Sequence, residues 1–548
     1  MRVLPRIIAL IFALAANAVA LAQVVDPQNV LITNVYIVTG QEEEEPKPVN
    51  VLVRNNKLDL VSPDEVPVPD GVVAVDAEGG YLLGTLKLGA EPSFLILDAD
   101  PRADVDVLLD TAKHAVFAVH GGELRKNTLL EALPEDAPTE AEVAGRGWMA
   151  YSPPPLAMPV GYLDTDKWNR WDTRWVDGLF VAGLVLDRVH FPSQNAASEQ
   201  QVGDLSLFEG GEIRGLRVGA VGTINFDKPW VYTVFGATHA FDRGYEVGRT
   251  DDFTWFDYRL DIPLFEKINL SVGKQKEPIS MERIMSMIQL PMQERTSGSD
   301  ALLPSRNFGV VFSSTWLNER GTWAGGVFNN FIDSGESIGS TATQWIGRAT
   351  WLPFLTQDES HLVHLGVGLR QTNAKNGLQY LTEPEINKAP VFVDTGLFEA
   401  RDALQYNLEA SWRYGPYWVH AEYTGTNVDS VNNGDLSFSG YHIAASWIIS
   451  GEMRRYNKKA GILGPIPVAK TVYQGGWGAW EVAARYSSVD LTDGGIDGGE
   501  MDILSLGANW WLTPFFNLNL NYRFIENNRD GLDGESSGFI GRVTLLLE

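Results

Sequence analysis

Residues 515–524 read FFNLNLNYRF. Phe516, Leu518, Leu520, Tyr522 and Phe524 fall on one beat, and Asn517, Asn519, Asn521 and Arg523 on the other. Successive side chains of a strand point to opposite faces, so this stretch predicts a strand with one apolar and one polar face. The same beat recurs from Val176 onward, in FTWFDYRLDI, HLVHLGVGLRQ, YNLEASWRY, AWEVAARYSS and FIGRVTLLL. Two architectures use it. A soluble sandwich buries the apolar face and wets the polar one. A membrane barrel turns the apolar face to lipid and the polar face to a lumen. About sixteen such segments can be placed, each close to the ~9–11 residues a tilted strand needs to cross a bilayer. Their centres lie near residues 182, 218, 234, 258, 271, 311, 327, 348, 366, 409, 422, 443, 483, 507, 521 and 542.

The connectors separate into two kinds. NFDKPW, PLFE, LNER, WLPFLTQD, YGPY and LTPF are short and mostly turn-forming, as expected where both barrel ends meet. The alternate connectors read as longer, polar external loops. One breaks the rule: SGEMRRYNKKAGILGPIPVAKTVYQGGW is long yet falls on the short-turn side. Either the count is off there or the segment folds back into the lumen. Trp230, Trp255, Trp316, Trp323, Trp345, Trp351, Trp418, Trp447, Trp477, Trp510 and Trp511 crowd strand ends, as two interfacial girdles require. The expected fold class is all-β, a 16-stranded antiparallel transmembrane barrel over 176–548.

The amino-terminal part differs. MRVLPRIIALIFALAANAVALAQ has Arg2 and Arg6, an apolar run and small residues before Gln23, the order of a cleavable export signal over 1–22. No other stretch approaches the roughly 20 apolar residues of a spanning helix, so a spanning mature chain must be a closed barrel. There is no cysteine, which excludes disulfides and thiolate metal sites. The formal charge of −27 argues against a nucleic-acid partner. Residues 23–150 hold 23 acidic and 9 basic residues. Residues 29–84 read as short strands broken by acidic turns, with Glu42 to Glu45 a solvated turn. Residues 128–175 read as a Pro- and acid-rich linker, with Trp168, Trp171 and Trp175 either at a membrane interface or in a local apolar staple.

NVLITNVYIVTG, VNVLVRNNKLDLV and GVVAVDAEGGYLLG resemble the opening strands of the small β-sandwich of the amidohydrolase superfamily. The likeness stops at Gly84. From Thr85, TLKLGAEPSFLILDADPRADVDVLLDTAKHAVFAVHGGELRK resembles the far end of the same superfamily, so the metal-bearing barrel between them is absent. That resemblance implies a sandwich remnant over 23–127. The chain's eight histidines contain no H-x-H pair, and His361 and His364 fall on opposite faces of one strand. No cofactor and no metal site are expected. A residual amidohydrolase-type enzyme is the least favoured alternative.

LSVGKQKEPISMER, SWIISGEMRRY, GGWGAWEVAARYSSVDL and NWWLTPFFNLNLNYRF resemble motifs of the phosphate-selective porin O and P family, a likeness spanning roughly 175–548. The resemblance implies a trimeric outer-membrane channel, its barrel in outer-membrane lipid and lipopolysaccharide and its amino-terminal sandwich in the periplasm. An inward external loop and a long periplasmic segment would narrow the pore, accounting for the aberrant connector. The closing Leu547-Glu548 departs from the terminal aromatic usual in outer-membrane strands. The implied function is passive diffusion of small hydrophilic solutes, including anions such as phosphate; the alternative is a non-conducting outer-membrane scaffold or adhesin. Parity places Arg217, Arg259, Arg348, Arg370, Arg413, Arg485, Arg523 and Arg542 in the lumen. The inward-loop candidate, 274–305, carries Lys274, Lys276, Arg283 and Arg295 against Glu277, Glu282 and Glu294. Guanidinium forks suit phosphate oxygens in pairs. In a second reading the wall arginines merely pair along their own strands, Arg259 with Asp257, Arg413 with Glu409 and Arg485 with Glu481. The stretch DLTDGGIDGGEMD, 490–502, reads as an acidic external loop and lacks the spacing of a calcium site.

Overall fold

The computed structural model describes residues 29–127, 169–238 and 253–546, less short stretches within them of which 39–46 is the longest. The export-signal segment, the acidic run 42–45 and most of the 128–175 linker lie outside the described residues. The chain divides into two units, residues 1–135 and 136–548.

In the first unit eight strands are hydrogen-bonded into one sheet. Asn29–Ile37 belongs to both halves of it. Its first part runs antiparallel to Val49–Arg54 and parallel to Val73–Asp76; Tyr36 and Ile37 then pair with Tyr81 and Leu82. A register shift between Ile32 and Val35, with Asn34 at φ 57°, hands the strand from one half to the other. Asn is among the few non-glycine residues that tolerate this region. The expected two-sheet sandwich is thus a single sheet whose halves share a strand. One core serves both: Val30, Ile32, Val51, Val75 and Leu82 pack with Phe94, Ile96 and Phe117. Gly84 and Thr85 lie together in Tyr81–Thr85, which forms a hairpin with Ser93–Leu97.

The second unit is a closed antiparallel barrel of sixteen strands. They are β1 (Val176–Gln194), β2 (Gly210–Ile224), β3 (Trp230–Ala237), β4 (Thr254–Pro263), β5 (Ile268–Lys276), β6 (Arg306–Trp316), β7 (Gly321–Asn329) and β8 (Thr343–Leu355). There follow β9 (His361–Asn373), β10 (Ala400–Tyr414), β11 (Tyr417–Ser430), β12 (Asp435–Ile448), β13 (Ala479–Asp493), β14 (Ile496–Thr513), β15 (Phe516–Arg529) and β16 (Leu532–Leu546). Each of the sixteen expected centres falls inside its strand. β1 closes on β16 from Gly183↔Leu546 to Gln194↔Ser536, so the cylinder has no free edge in lipid. Among the described residues no helix is long and apolar enough to cross a membrane.

On β15 Asn517 and Asn521 are 1% exposed and Arg523 0%, while Leu520 is 52% exposed and Phe524 48%. Polar side chains are inside and apolar ones outside, the inverse of a soluble sandwich and the order of a membrane barrel. Trp255, Trp316, Trp323, Trp345, Trp351 and Trp447 also face outward. Trp418 and Trp511 do not: each is 4% exposed and points into the barrel, so neither belongs to a girdle.

The short-turn end, where β1 begins and β16 finishes, is as expected, except that β8 runs on to Leu355 and shortens WLPFLTQD to a tighter turn. The far end differs from expectation. The last three connectors there are tight turns, at 431–434, 494–495 and 530–531. The acidic stretch 490–502 is mostly strand, with Gly494 at φ 58° in the turn. Strands β13 to β16 have 14 to 18 residues, well beyond bilayer thickness. Three long segments turn inward instead: 277–305 and 374–399 from the far end, and 449–478 from the short-turn end.

Candidate functional site

The inward segments are seated by packing. Met281, Ile284, Met285 and Leu290 of the first meet Leu352, Leu362 and Trp418 of the wall and Tyr456, Ile462 and Leu463 of 449–478. Further toward the far end, Tyr380, Ile386, Phe392, Val393 and Phe398 of 374–399 pack on inward Val489, Met501, Ile503, Ile525 and Ile540. Backbone approach is close. A Cβ on Gly440 of β12 would lie 2.5 Å from the Cα of Gly298, and one on Gly368 of β9 would lie 2.0 Å from the carbonyl oxygen of Ile279. Loop 277–305 can seat against these strands only because the wall has glycine there.

Between the segments and the wall lies a belt of buried charge. Among the described residues twelve arginines and Lys276 are buried, against eleven aspartates and glutamates. Such groups are retained in a low-dielectric interior only when paired, and the pairing is extensive. Arg348 holds Glu409 with Nε and Nη2, both at 2.7 Å. Arg542 holds Asp187 the same way, both at 2.7 Å. Arg214 holds Glu294 at 2.9 Å twice. Arg370 Nε donates to Glu277 at 2.7 Å, and Arg454 Nη2 to both oxygens of Glu481 at 3.0 Å. Forked contacts of this kind fix orientation as well as charge.

Each residue predicted for the site can be placed. Arg217 faces inward, 3.3 Å from Asp257 and with its guanidinium 4.2 Å from the Phe235 ring centre. Arg259 pairs with Asp261 at 3.0 Å rather than with Asp257, which Arg306 takes at 2.8 Å. Arg413 donates to the carbonyl of Arg454, not to Glu409. Arg485 reaches Glu282, at 3.5 Å, and Glu385, not Glu481. Apart from Arg259–Asp261, which lies along β4, these contacts run between strands and from wall to loop. Arg283 is 0% exposed and bound to Asp300 at 2.7 Å. Lys276 turns in at the end of β5 and donates to the carbonyl of Met285 at 2.9 Å. Arg295 donates to the same carbonyl at 2.8 Å.

Lys274, expected in the constriction, does not face it. It sits opposite Tyr258 and Phe308, on the face that carries Leu260, Ile262, Val310 and Phe312. Val310 and Phe312 are 38% and 43% exposed, so this is the outer face, and strand parity removes Lys274 from the constriction. The parity of His361 and His364 holds: His364 Nε2 is 3.0 Å from Glu409 inside, while His361 accepts from Trp412 Nε1 at 2.8 Å on the other face.

Four participants escaped the sequence reading. Arg214 was hidden by the register shift that puts Gly215 opposite Val185 and Ile213 opposite Leu186. Arg306 and Arg454 stand where a strand ends or is absent, so no alternation marks them. Glu385 lies in a loop, and its lone signal was acid within the apolar run of 374–399. Among the described residues no group of three or more His, Asp or Glu has the arrangement to hold a metal ion.

A family model described as phosphate-selective porin O and P matches residues 188–535. An uncharacterized protein of Caulobacter vibrioides is 26% identical over 478 residues, covering 84% of this chain and 91% of that one. Among solved structures, an anion-selective porin from Comamonas acidovorans is similar with a TM-score of 0.41 at 13% identity, over 68% of this chain and 100% of that one. A loop-deleted OmpT, an outer membrane protein of Vibrio cholerae, is similar with a TM-score of 0.43 at 10% identity, over 68% of this chain and 99% of that one.

Proposed function

This chain belongs to the phosphate-selective porin O and P family and is an outer-membrane porin; from that premise we propose that it passes small hydrophilic solutes by diffusion, with a modest preference for anions. The observation that carries the preference is the composition of the inward belt, in which buried arginine and lysine exceed buried carboxylate. Charges at a narrow, low-dielectric passage dominate the local field, whereas distant exposed ones are screened within about 10 Å at 0.1 M salt. The excess is small and most guanidinium forks already hold a carboxylate, so the expected selectivity is mild and phosphate is one anion among several. In this reading the short-turn end of the barrel and the amino-terminal unit face the periplasm, and the working form is a trimer.

The experiment is a reversal potential in planar bilayers across a KCl gradient. A potential of the sign given by chloride permeation is expected; the opposite sign overturns the anion preference. One observation favours a second reading. The wall arginines are covered by inward segments, Arg370 and Arg523 to 0% exposure, so a chain held in this form would be a non-conducting scaffold. Absence of any current from folded, reconstituted protein would select that reading.

A further inference from the structure

Loop 374–399 delivers one carboxylate to the wall. Glu385 is 3% exposed and sits at φ 58°, a left-handed conformation unusual for a residue with a Cβ. Its Oε2 receives Arg485 Nη2, lies 3.5 Å from the Ser505 hydroxyl and is 3.6 Å from Arg523 Nε. Its Oε1 accepts from the Ser487 hydroxyl and, at 3.1 Å, from the backbone N–H of Ser297. Two guanidinium groups, two hydroxyls and a backbone amide thus converge on one pair of oxygens. Arg523 is not satisfied by this. Among the described residues its Nη1 and Nη2 have no hydrogen-bond partner, although the side chain is wholly buried. Arg485 Nη1 is turned elsewhere, to Glu282 at 3.5 Å and the carbonyl of Glu294 at 2.9 Å. A cavity of about 10 Å³ adjoins, lined by Glu385, Glu383, Ile386, Arg214 and Glu294 among others.

We propose that the Glu385 carboxylate is an internal occupant of an oxyanion-binding site, and that a free oxyanion of phosphate size takes its place when loop 374–399 lifts. The donors suit such a ligand. A carboxylate presents two oxygens in a plane and leaves both terminal nitrogens of Arg523 without an acceptor. A tetrahedral anion has further oxygens to offer them, and guanidinium forks bind such oxygens in pairs. The strained backbone at Glu385 is consistent with a side chain held by its charge partners, since such conformations persist only where the surroundings over-determine them. The loop is tethered nearby by Tyr380, Phe392 and Phe398 in the apolar cluster at the far end. Exchange of Glu385 for a solute would leave that cluster and the 3.0 Å hydrogen bond from Asn387 to Glu212 among the restraints on the loop. The inference rests on the diffusion reading for its meaning in transport, but not for the existence of the site.

The test is equilibrium dialysis of labelled inorganic phosphate against the full chain in detergent at low salt. Wild type is compared with E385A, E385Q and E385A/R523Q. Folding of each is verified by heat-modifiable migration on gels, with E385Q keeping the side-chain volume should E385A not fold. Removing the internal competitor is expected to tighten phosphate binding about tenfold or more at one site, because the competent state is no longer masked. The added R523Q change should abolish that gain. Acetate run as a competing arm tells a carboxylate-type site from a tetrahedral one. Folded E385A and E385Q that bind phosphate no better than wild type overturn the proposal. Dialysis reads binding without transport, so a protein that conducts nothing sinks the diffusion reading alone.

Discussion

Arg348 illustrates what a lumenal arginine does in this barrel. Its Nε and Nη2 donate to Glu409, while Nη1 donates to the carbonyl of Ala460 at 3.0 Å and Nη2 also to that of Gly461 at 2.8 Å. One side chain therefore ties β8 to β10 and both to the inward segment 449–478. Glu409 also takes His364 Nε2, and His364 Nδ1 in turn meets the Tyr456 hydroxyl at 2.7 Å. Removing one member of a buried pair leaves the other desolvated and uncompensated, a loss of about 3–5 kcal/mol, whereas replacing both by apolar groups is often neutral. E409Q is accordingly expected to lower the temperature at which the folded barrel converts to its heat-denatured gel form. It should also expose 449–478 to protease. The double change R348M/E409L should restore most of the lost temperature. Equal behaviour of the single and double variants would show that the pair is not an energetic unit.

At the scale of elements, the strands were legible and their partnerships were not. Period-two alternation carries the face of each side chain, so the inward direction of Asn517, Arg523 and Arg370 is legible in their own strands alone. It carries nothing about what a neighbouring strand or loop brings alongside: Arg259 does find its partner on β4, but in Asp261 because Arg306 of β6 takes Asp257, and Arg485 pairs with Glu385 from a loop. Trp418 and Trp511 stand near strand ends, where a girdle is expected, but they share parity with the polar rows of β11 and β14 and are buried. The tight turn at 494–495 is hidden because Asp and Gly in 490–502 read as loop, although an alternating β14 runs through them. Loop seating was invisible for another reason: it rests on glycines whose meaning appears only when a second backbone lies on them. Gly440 makes this testable. G440V would force loop 277–305 off β12, and overpacking of this kind typically costs about 1–3 kcal/mol. The expected outcome is a barrel that still forms, since the glycine's own strand pairing with β11 and β13 is unaffected, but with raised single-channel conductance. Unchanged conductance in folded G440V would mean that the loop does not narrow the passage.

At the scale of the whole molecule, two charge distributions coexist. The chain as a whole carries −27, and residues 23–150 alone hold 23 acidic against 9 basic residues. The buried belt of the barrel leans the other way. If selectivity followed net charge the pore would prefer cations; if it follows the groups in the low-dielectric passage it prefers anions. The architecture permits a clean separation of these. The barrel closes through β1 and β16 and takes no strand from residues 29–127, whose own sheet and core are complete among themselves. Joining residues 1–22 directly to residue 136 should therefore yield a barrel that still inserts and resists detergent until heated. Its reversal potential in a KCl gradient should equal that of the full chain, because the deleted charges act through electrolyte that screens them, while Arg348, Arg370, Arg523 and their neighbours remain where they were. A shift of the potential on deletion would show that the acidic unit contributes to the field at the pore mouth. Failure of the shortened chain to form a barrel would give the first unit a role in assembly that its separate core does not require.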